Sequence, residues 1–229
     1  MMHSVDIGMP LSRKEKRMIK GLIFDLDGVL VDTAKYHYLA WKEIAMELGI
    51  DFTEKDNERL KGVSRSRSME ILLEIGNRRM EMAEQEAYCT KKNKRYVEFI
   101  SAMQEDEVLP GVKEFLTQAK AKGYRIALGS ASKNSGLILD RLHLKDYFDV
   151  IIDGTKVEKA KPDPEVFVRG AMELGVACEE CIVFEDSEAG IEAAHRGHMK
   201  TVGIGCRENL PEADIVIKNL KEYSVEEIV

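Results

Sequence analysis

The amino-acid sequence predicts an α/β protein: an open parallel sheet with helices on both faces, and an α-helical cap inserted after the first strand. Three observations predict it. From Pro110 onward, short apolar runs alternate with helical segments, the pattern of parallel strands joined by crossover helices. Near the N-terminus a lone apolar run, Leu22 to Leu26, has no close partner in the sequence and must join that same sheet. Between them, from about Asp51 to Glu107, there is no convincing strand. These observations divide the chain into an N-terminal extension (1–19), a core (20–32 and 108–229) and a helical cap (33–107).

The first strand belongs to GLIFDLDGVLVDT, Gly21 to Thr33. Its two aspartates cannot lie unpaired in an apolar strand, because a buried carboxylate without a partner costs several kcal/mol. They must end the strand, be paired, or hold a cation. Asp27-Gly28 between apolar runs also fits a hairpin turn, but the alternation further along the chain argues against a hairpin. Thr33 to Gly49 predicts a helix, with Tyr36, Leu39, Ala40, Ile44 and Leu48 on one face and a glycine stop. Helical stretches follow near Arg67–Ile75 and Met80–Met103. Pro110-Gly111 opens a helix that ends at Gly123, and Tyr124–Gly129 reads as a strand. A helix near Ser135–Leu144 precedes the strand Phe148–Ile152. Pro164 starts a helix through Gly175, and Cys181–Phe184 is a strand. The helix Ser187–Arg196 and the strands Thr201–Ile204 and Asp214–Ile217 complete the alternation.

Composition narrows the function classes. The 34 Lys and Arg against 41 Asp and Glu leave a formal charge of −7 with no long basic stripe, which argues against a nucleic-acid partner. An anionic substrate would need a few local cations to overcome the overall field. No apolar run approaches the roughly 20 residues of a membrane span. The first nineteen residues carry basic side chains but no apolar core of a secretory signal, and read as a loose extension or short surface helix. A cytoplasmic location follows as the expectation. Cys178 and Cys181, followed by His195 and His198, approach a zinc-finger spacing. The intervening strand, acidic turn and helix do not suit a finger's short spacer. Cys89, Cys178, Cys181 and Cys206 are therefore expected to be reduced and structural.

Ligands of open α/β sheets bind beyond the carboxyl ends of the strands. The polar residues in those places are Asp25 and Asp27, Ser130 and Ser132, and Glu185 and Asp186. No GxGxxG follows the first strand, so a dinucleotide-binding module is poorly supported.

DLDGVLVDT, SASKN, KPDP and FEDS, in this order, resemble the four motifs of the haloacid-dehalogenase superfamily of phosphotransferases. DTAKYHYLAW, LKGVSRSRS and KKNKRYV extend the resemblance into the cap. The resemblance runs from about Lys20 to the region of Asp214. It implies a Rossmann-like core with its cap, and a monomer acting on a small sugar phosphate. The implied reaction interconverts β-glucose 1-phosphate and glucose 6-phosphate through an aspartyl phosphate, with glucose 1,6-bisphosphate as intermediate and activator. A sugar-phosphate phosphatase on the same scaffold is the alternative.

Residues i and i+2 of an extended strand point the same way, so Asp25 and Asp27 can share one site. Asp25 is the expected nucleophile and Asp27 the general acid and base. So many acids around a phosphate need a cation, and oxygen-only ligands suit Mg²⁺. By resemblance, Asp25, the backbone carbonyl of Asp27, Glu185 and Asp186 hold it. Lys161 and Ser130 offset phosphoryl charge; Lys161-Pro162 also reads as a plain surface turn. A mutase needs a second anion site for the phosphate that is not reacting. The resemblance offers Arg65, aided by Ser132, Lys133 and Asn134, although a cap arginine is also an ordinary solvated charge. His37 and Lys92 match positions that bring Asp27 and the cap into register, while His37 also fits a satisfied core histidine. Thr33 either caps its helix or serves the acid and base. Trp41, Gly62, Val63, Ser64, Asn93 and Ala131 complete the implied substrate- and phosphate-binding set.

Overall fold

The computed structural model describes residues 18–60 and 63–229. Residues 1–17 of the expected extension, together with Lys61 and Gly62, lie outside the described residues. Strand β1 (Gly21–Phe24) is followed by helices α1 (Ala34–Glu47), α2 (Glu54–Asn57), α3 (Arg65–Ile75) and α4 (Met82–Ser101). The chain continues through α5 (Val112–Ala121), β2 (Arg125–Gly129), α6 (Ser135–Arg141) and β3 (Val150–Ile152). It ends with α7 (Glu165–Leu174), β4 (Cys181–Glu185), α8 (Glu188–Arg196), β5 (Lys200–Ile204), β6 (Ile215–Ile217) and α9 (Val225–Ile228).

The six strands form one sheet in the order β3-β2-β1-β4-β5-β6, and every pairing is parallel. β1 lies inside it, with Gly21 opposite Arg125 on one side and Cys181 on the other. Helices cover both faces, which is why all four residues of β1 are apolar or glycine and all are buried. Period two divides its side chains between two cores. Leu22 and Phe24 join Ile126, Leu128, Ile182 and Phe184 on the face covered by Phe115 of α5. Ile23 joins Ala127 and Val183 on the face covered by Phe167 of α7 and Ala194 of α8. Phe24 stacks on Phe184 with ring centroids 4.4 Å apart and meets Phe115 edge-on at 6.2 Å. Burying each such ring contributes about 1.5–3 kcal/mol.

The cap has its own core, in which Trp41, Ile44, Leu48, Phe52, Met69 and Leu72 pack together. α1 belongs to both cores, since Ala40 packs with the sheet-side cluster and Trp41 with the cap cluster. That double duty turns the helix relative to the expected stripe. Ala40, Trp41, Ile44 and Ala45 are buried, whereas Leu39 faces out at 42% exposure. The two chain crossings between core and cap run side by side: Val31 bridges Val108, and the Leu109 N–H donates to the Leu30 carbonyl at 2.9 Å. Tyr36 Oη donates to Glu107 at 2.5 Å beside that crossing.

Two short helices were not anticipated. Both start at capping boxes, Thr53 with Asp56 for α2 and Ser224 with Glu227 for α9. Among the described residues no helix is long and apolar enough to cross a membrane. The cysteines of the described residues are free, and Cys181 is buried in β4 with its thiol pushed up to about 12 by that burial. His195 is engaged by Thr201 Oγ1 at 3.1 Å and Asp214 Oδ2 at 3.3 Å, within the core.

Candidate active site

The strand order reverses at β1 and β4, so the loops leaving these neighbours splay apart and open a crevice at their carboxyl ends. Asp25 and Glu185 reach its floor from the two strand ends. Asp25 extends the pairing one residue past β1, donating its N–H to the Phe184 carbonyl at 2.9 Å. Its Oδ2 accepts the Asp27 N–H at 2.9 Å, and its Oδ1 accepts Lys161 Nζ at 2.6 Å. The same ammonium donates to Glu185 Oε1 at 2.5 Å. Glu185 Oε2 accepts both the N–H and the hydroxyl of Ser187, at 2.7 and 2.9 Å. Ser187 in turn caps α8, accepting the Gly190 N–H at 3.2 Å.

Two glycines admit the acids. A Cβ on Gly190 would stand 1.9 Å from Glu185 Oε1, and one on Gly28 would stand 2.0 Å from Asp186 Oδ2. Gly28 also holds φ at 77°, a left-handed turn that returns its N–H to the Val31 carbonyl at 2.8 Å.

This floor is short of positive charge. Burial pushes the Asp25 carboxyl up to about 7; Lys161 opposes the shift, while Glu185 and Asp27 add to it. Burial likewise raises Asp27, against the hydrogen bond from Thr33. Burial works against the charge of Lys161, but Asp25 and Glu185 outweigh it and hold its pKa above the usual lysine value. An all-oxygen, carboxylate-rich site with this imbalance fits a hard divalent cation in kind. Among the described residues, however, no group of three His, Cys, Asp or Glu side chains is arranged to hold a metal ion. Glu185 accounts for much of that: both its oxygens are turned to Lys161 and Ser187.

Thr33 resolves its two readings. It stands at the N-cap of α1, yet its side chain makes no capping bond and donates instead to Asp27 Oδ1. His37 is engaged within the cap. Its ring lies 4.2 Å from that of Tyr96, and its Nδ1 is 2.8 Å from Lys92 Nζ. Burial first, then Lys92 and Arg65, lower the His37 pKa well below the usual value, so the neutral ring accepts from the ammonium. Lys92 lies 5.2 Å from the ring centroid of Trp41 and 4.6 Å from that of Tyr96. Burial, and then Arg65, bring its pKa down to about 7, with Asp27 pulling the other way.

In the cleft, one amide bridges core and cap. Asn93 Oδ1 accepts Arg65 at 2.7 Å and Asn134 Nδ2 at 3.0 Å. Ser64 caps α3 by accepting the Arg67 N–H at 3.2 Å, which fixes the first turn that carries Arg65. On the core side, Ser130 is buried and its Oγ accepts the Ser132 N–H at 3.1 Å. Ser132 Oγ accepts the Asn134 N–H at 3.2 Å, so the SASKN segment folds on its own hydroxyls. Ala131, Lys133, Trp41, Val63 and Ser64 line the same cleft of about 630 Å³. Asp186 and Lys161 line it too. Of the residues expected from sequence, Gly62 lies outside the described residues. Ser130 lies behind the wall rather than on it.

Other residues lining the cleft were not expected from sequence, Cys89, Tyr96 and Asn57 among them. Cys89 and Tyr96 fall on the α4 stripe that also carries Lys92 and Asn93, at helical spacing. The Cys89 thiol donates to the Arg65 carbonyl at 3.7 Å, a contact that suits a reduced cysteine. Asn57 Oδ1 is buried in the wall without a hydrogen-bond partner. The period of the stripe was there to be read, given one anchored member.

The family model of the haloacid dehalogenase-like hydrolases matches residues 19–198. The chain is 40% identical over 210 residues to a β-phosphoglucomutase of Bacillus subtilis (strain 168), covering 91% of this chain and 93% of that protein. It is 34% identical over 178 residues to a phosphorylated carbohydrates phosphatase of Thermotoga maritima, covering 77% of this chain and 80% of that one. The crystal structure of a β-phosphoglucomutase from Clostridium difficile matches with a TM-score of 0.89 at 41% identity, over 92% of this chain and 96% of that chain.

Proposed function

This chain belongs to the haloacid dehalogenase-like hydrolase family, and we propose that it works there as a phosphoglucomutase, an isomerase interconverting β-glucose 1-phosphate and glucose 6-phosphate. The observation that carries the reading is the pairing of two unlike sites in one cleft. On the floor are Asp25 and Asp27; on the roof, Arg65 is tied through Asn93 to Asn134. Removing one phosphate needs the floor alone. Moving it between two positions of a sugar needs a grip on the second phosphate as well.

In this reading an Asp25 oxygen attacks the phosphorus of glucose 1,6-bisphosphate and forms an aspartyl phosphate, while Asp27 protonates the leaving sugar oxygen. The monophosphate then presents its other end. Asp27, oriented by the Thr33 hydroxyl, takes the proton from the attacking sugar hydroxyl as the phosphoryl group leaves Asp25. Lys161 offsets charge on the phosphoryl oxygens. Arg65, with Ser132, Lys133 and Asn134, holds the distal phosphate, and Lys92, held by His37, faces the charge of Asp27 from the cap. Mg²⁺ goes with the family; held by Asp25, the Asp27 carbonyl, Glu185 and Asp186, it would offset carboxylate charge and keep Asp25 ionised. The substrate is a small sugar phosphate, and we place the enzyme in the cytoplasm as a monomer, with no membrane or nucleic-acid partner.

A second reading, a sugar-phosphate phosphatase, is favoured by the similarity to the Thermotoga phosphatase. One assay separates the two. With β-glucose 1-phosphate, Mg²⁺ and a trace of glucose 1,6-bisphosphate, the mutase yields glucose 6-phosphate and the phosphatase yields free phosphate. Chelation should stop either reaction while the circular dichroism stays that of folded protein. Activity that persists in thorough chelator would sink the shared chemistry.

A further inference from the structure

A guanidinium drawn partly out of water is ordinarily met by a carboxylate, because burial penalises an unpaired charge. Arg65 is half-buried and is paired with no carboxylate among the described residues. A neutral oxygen holds it instead, Asn93 Oδ1 at 2.7 Å. The same oxygen accepts Asn134 Nδ2 from the core at 3.0 Å. A guanidinium can only donate, so the oxygen of Asn93 must face it, and Asn134 must then present its amide nitrogen. Chemistry alone fixes the roles of both amides.

Two further contacts mark this junction as built. Helix α4 grips Arg65 at points one turn apart: Cys89 Sγ donates to the Arg65 carbonyl at 3.7 Å, and Asn93 accepts from its side chain. Asn134 stands at the N-cap of α6, yet its side chain makes no capping bond and crosses to the cap. The cation is thereby placed without being neutralised. An aspartate in place of Asn93 would accept the same two bonds more strongly. It would also cancel the charge that a phosphate needs. The floor is built the other way, with Lys161 paired to both Asp25 and Glu185.

We propose that Asn93 is a positioning residue, a neutral acceptor that aims Arg65 while leaving its charge for the non-reacting phosphate of the substrate. This role rests on the distal phosphate of the function proposed above, on which Asn93 acts only through Arg65.

Two substitutions separate aim from charge. Asn93→Asp keeps the shape and both accepted bonds but adds a charge; Asn93→Ala removes the bonds and leaves Arg65 its charge. A purely structural amide would suffer more from alanine. The expected order is the reverse: Asn93→Asp should lose about tenfold or more in kcat/KM for sugar-phosphate turnover, and Asn93→Ala about threefold. Phosphorylation of Asp25 by acetyl phosphate, read by intact mass, should fall by less than about threefold in Asn93→Asp. The melting temperature of that variant should hold or rise, since the guanidinium gains a counter-charge. In an Arg65→Ala background Asn93→Asp should cost less than about threefold, because no cation is left to neutralise. The proposal is overturned if alanine costs more than aspartate, if both reactions of Asn93→Asp fall equally, if that variant melts lower, or if its loss persists without Arg65. A wild-type protein that only hydrolyses sugar phosphates would remove the mutase reading. The Asn93 comparison would then be decided on hydrolysis of glucose 1,6-bisphosphate, whose second phosphate still needs a holder.

Discussion

The floor and the roof of the cleft are built with opposite excesses of charge. On the floor, Asp25, Asp27, Glu185 and Asp186 gather near Lys161, and burial pushes Asp25 up to about 7. On the roof, Lys92, Arg65 and His37 gather on the cap, and burial with Arg65 draws Lys92 down to about 7. Burial thus moves a carboxyl up and an ammonium down, each toward its uncharged form. Each half thus gathers an excess of one sign among the described residues. A divalent cation would complete the floor, and the phosphates of a substrate would complete the roof. The imbalance marks the place for a ligand more specifically than cleft volume does.

The largest test of this contrast is on the floor. Asp25→Asn should abolish the phosphoenzyme, read by intact mass after incubation with acetyl phosphate, because an amide cannot form the acyl phosphate. Near-normal turnover in that variant would end the assignment. On the roof, Arg65→Ala removes a charge-assisted grip worth roughly 1.5–3 kcal/mol per hydrogen bond, about ten- to several-hundred-fold in sugar-phosphate turnover. Phosphorylation of Asp25 by acetyl phosphate should hardly change. Equal losses in both reactions would mean that floor and roof do not divide the work.

The smallest expected effect is on stability in metal-free protein. The folded pKa of Lys92 lies below its ordinary value of 10.5, so between about 7 and 10.5 the unfolded chain binds more protons. The stability linked to Lys92 is present above the unfolded value and lost as pH falls through the folded one. Asp25 has the reverse sign: its contribution is present below 3.8 and lost as pH rises through about 7. Lys92→Met should flatten the alkaline rise and Asp25→Asn the acid-side decline, in urea titrations across pH. Two unaltered slopes would show that neither group carries the imbalance.

The core was legible because alternation of strand and helix survives in a single sequence, and because Asp25, Asp27 and Glu185 terminate strands whose residues are plainly apolar. The roof was less so. α4 is polar or charged on most faces, so no hydrophobic contrast singled out the stripe on which Tyr96 and Cys89 lie. Leu39 was misplaced because α1 serves two cores, and a single amphipathic face cannot express that. Thr33 left two readings open because one residue type suits both a helix cap and a partner for Asp27; only the direction of its hydroxyl decides. The turn of Glu185 toward Lys161 and Ser187 is a choice of side-chain conformation, which composition and spacing do not encode.

The inner position of β1 also governs the order of assembly during synthesis. Gly21 is made early, yet its neighbours in the sheet are Arg125 and Cys181. At about 5–20 residues per second, the first strand waits on the order of ten seconds for even one flank. The cap helices emerge in that interval and find much of their own packing among themselves. The insertion is therefore well placed to fold before the domain it interrupts, and the strand that ends in Asp25 is made first but enclosed late.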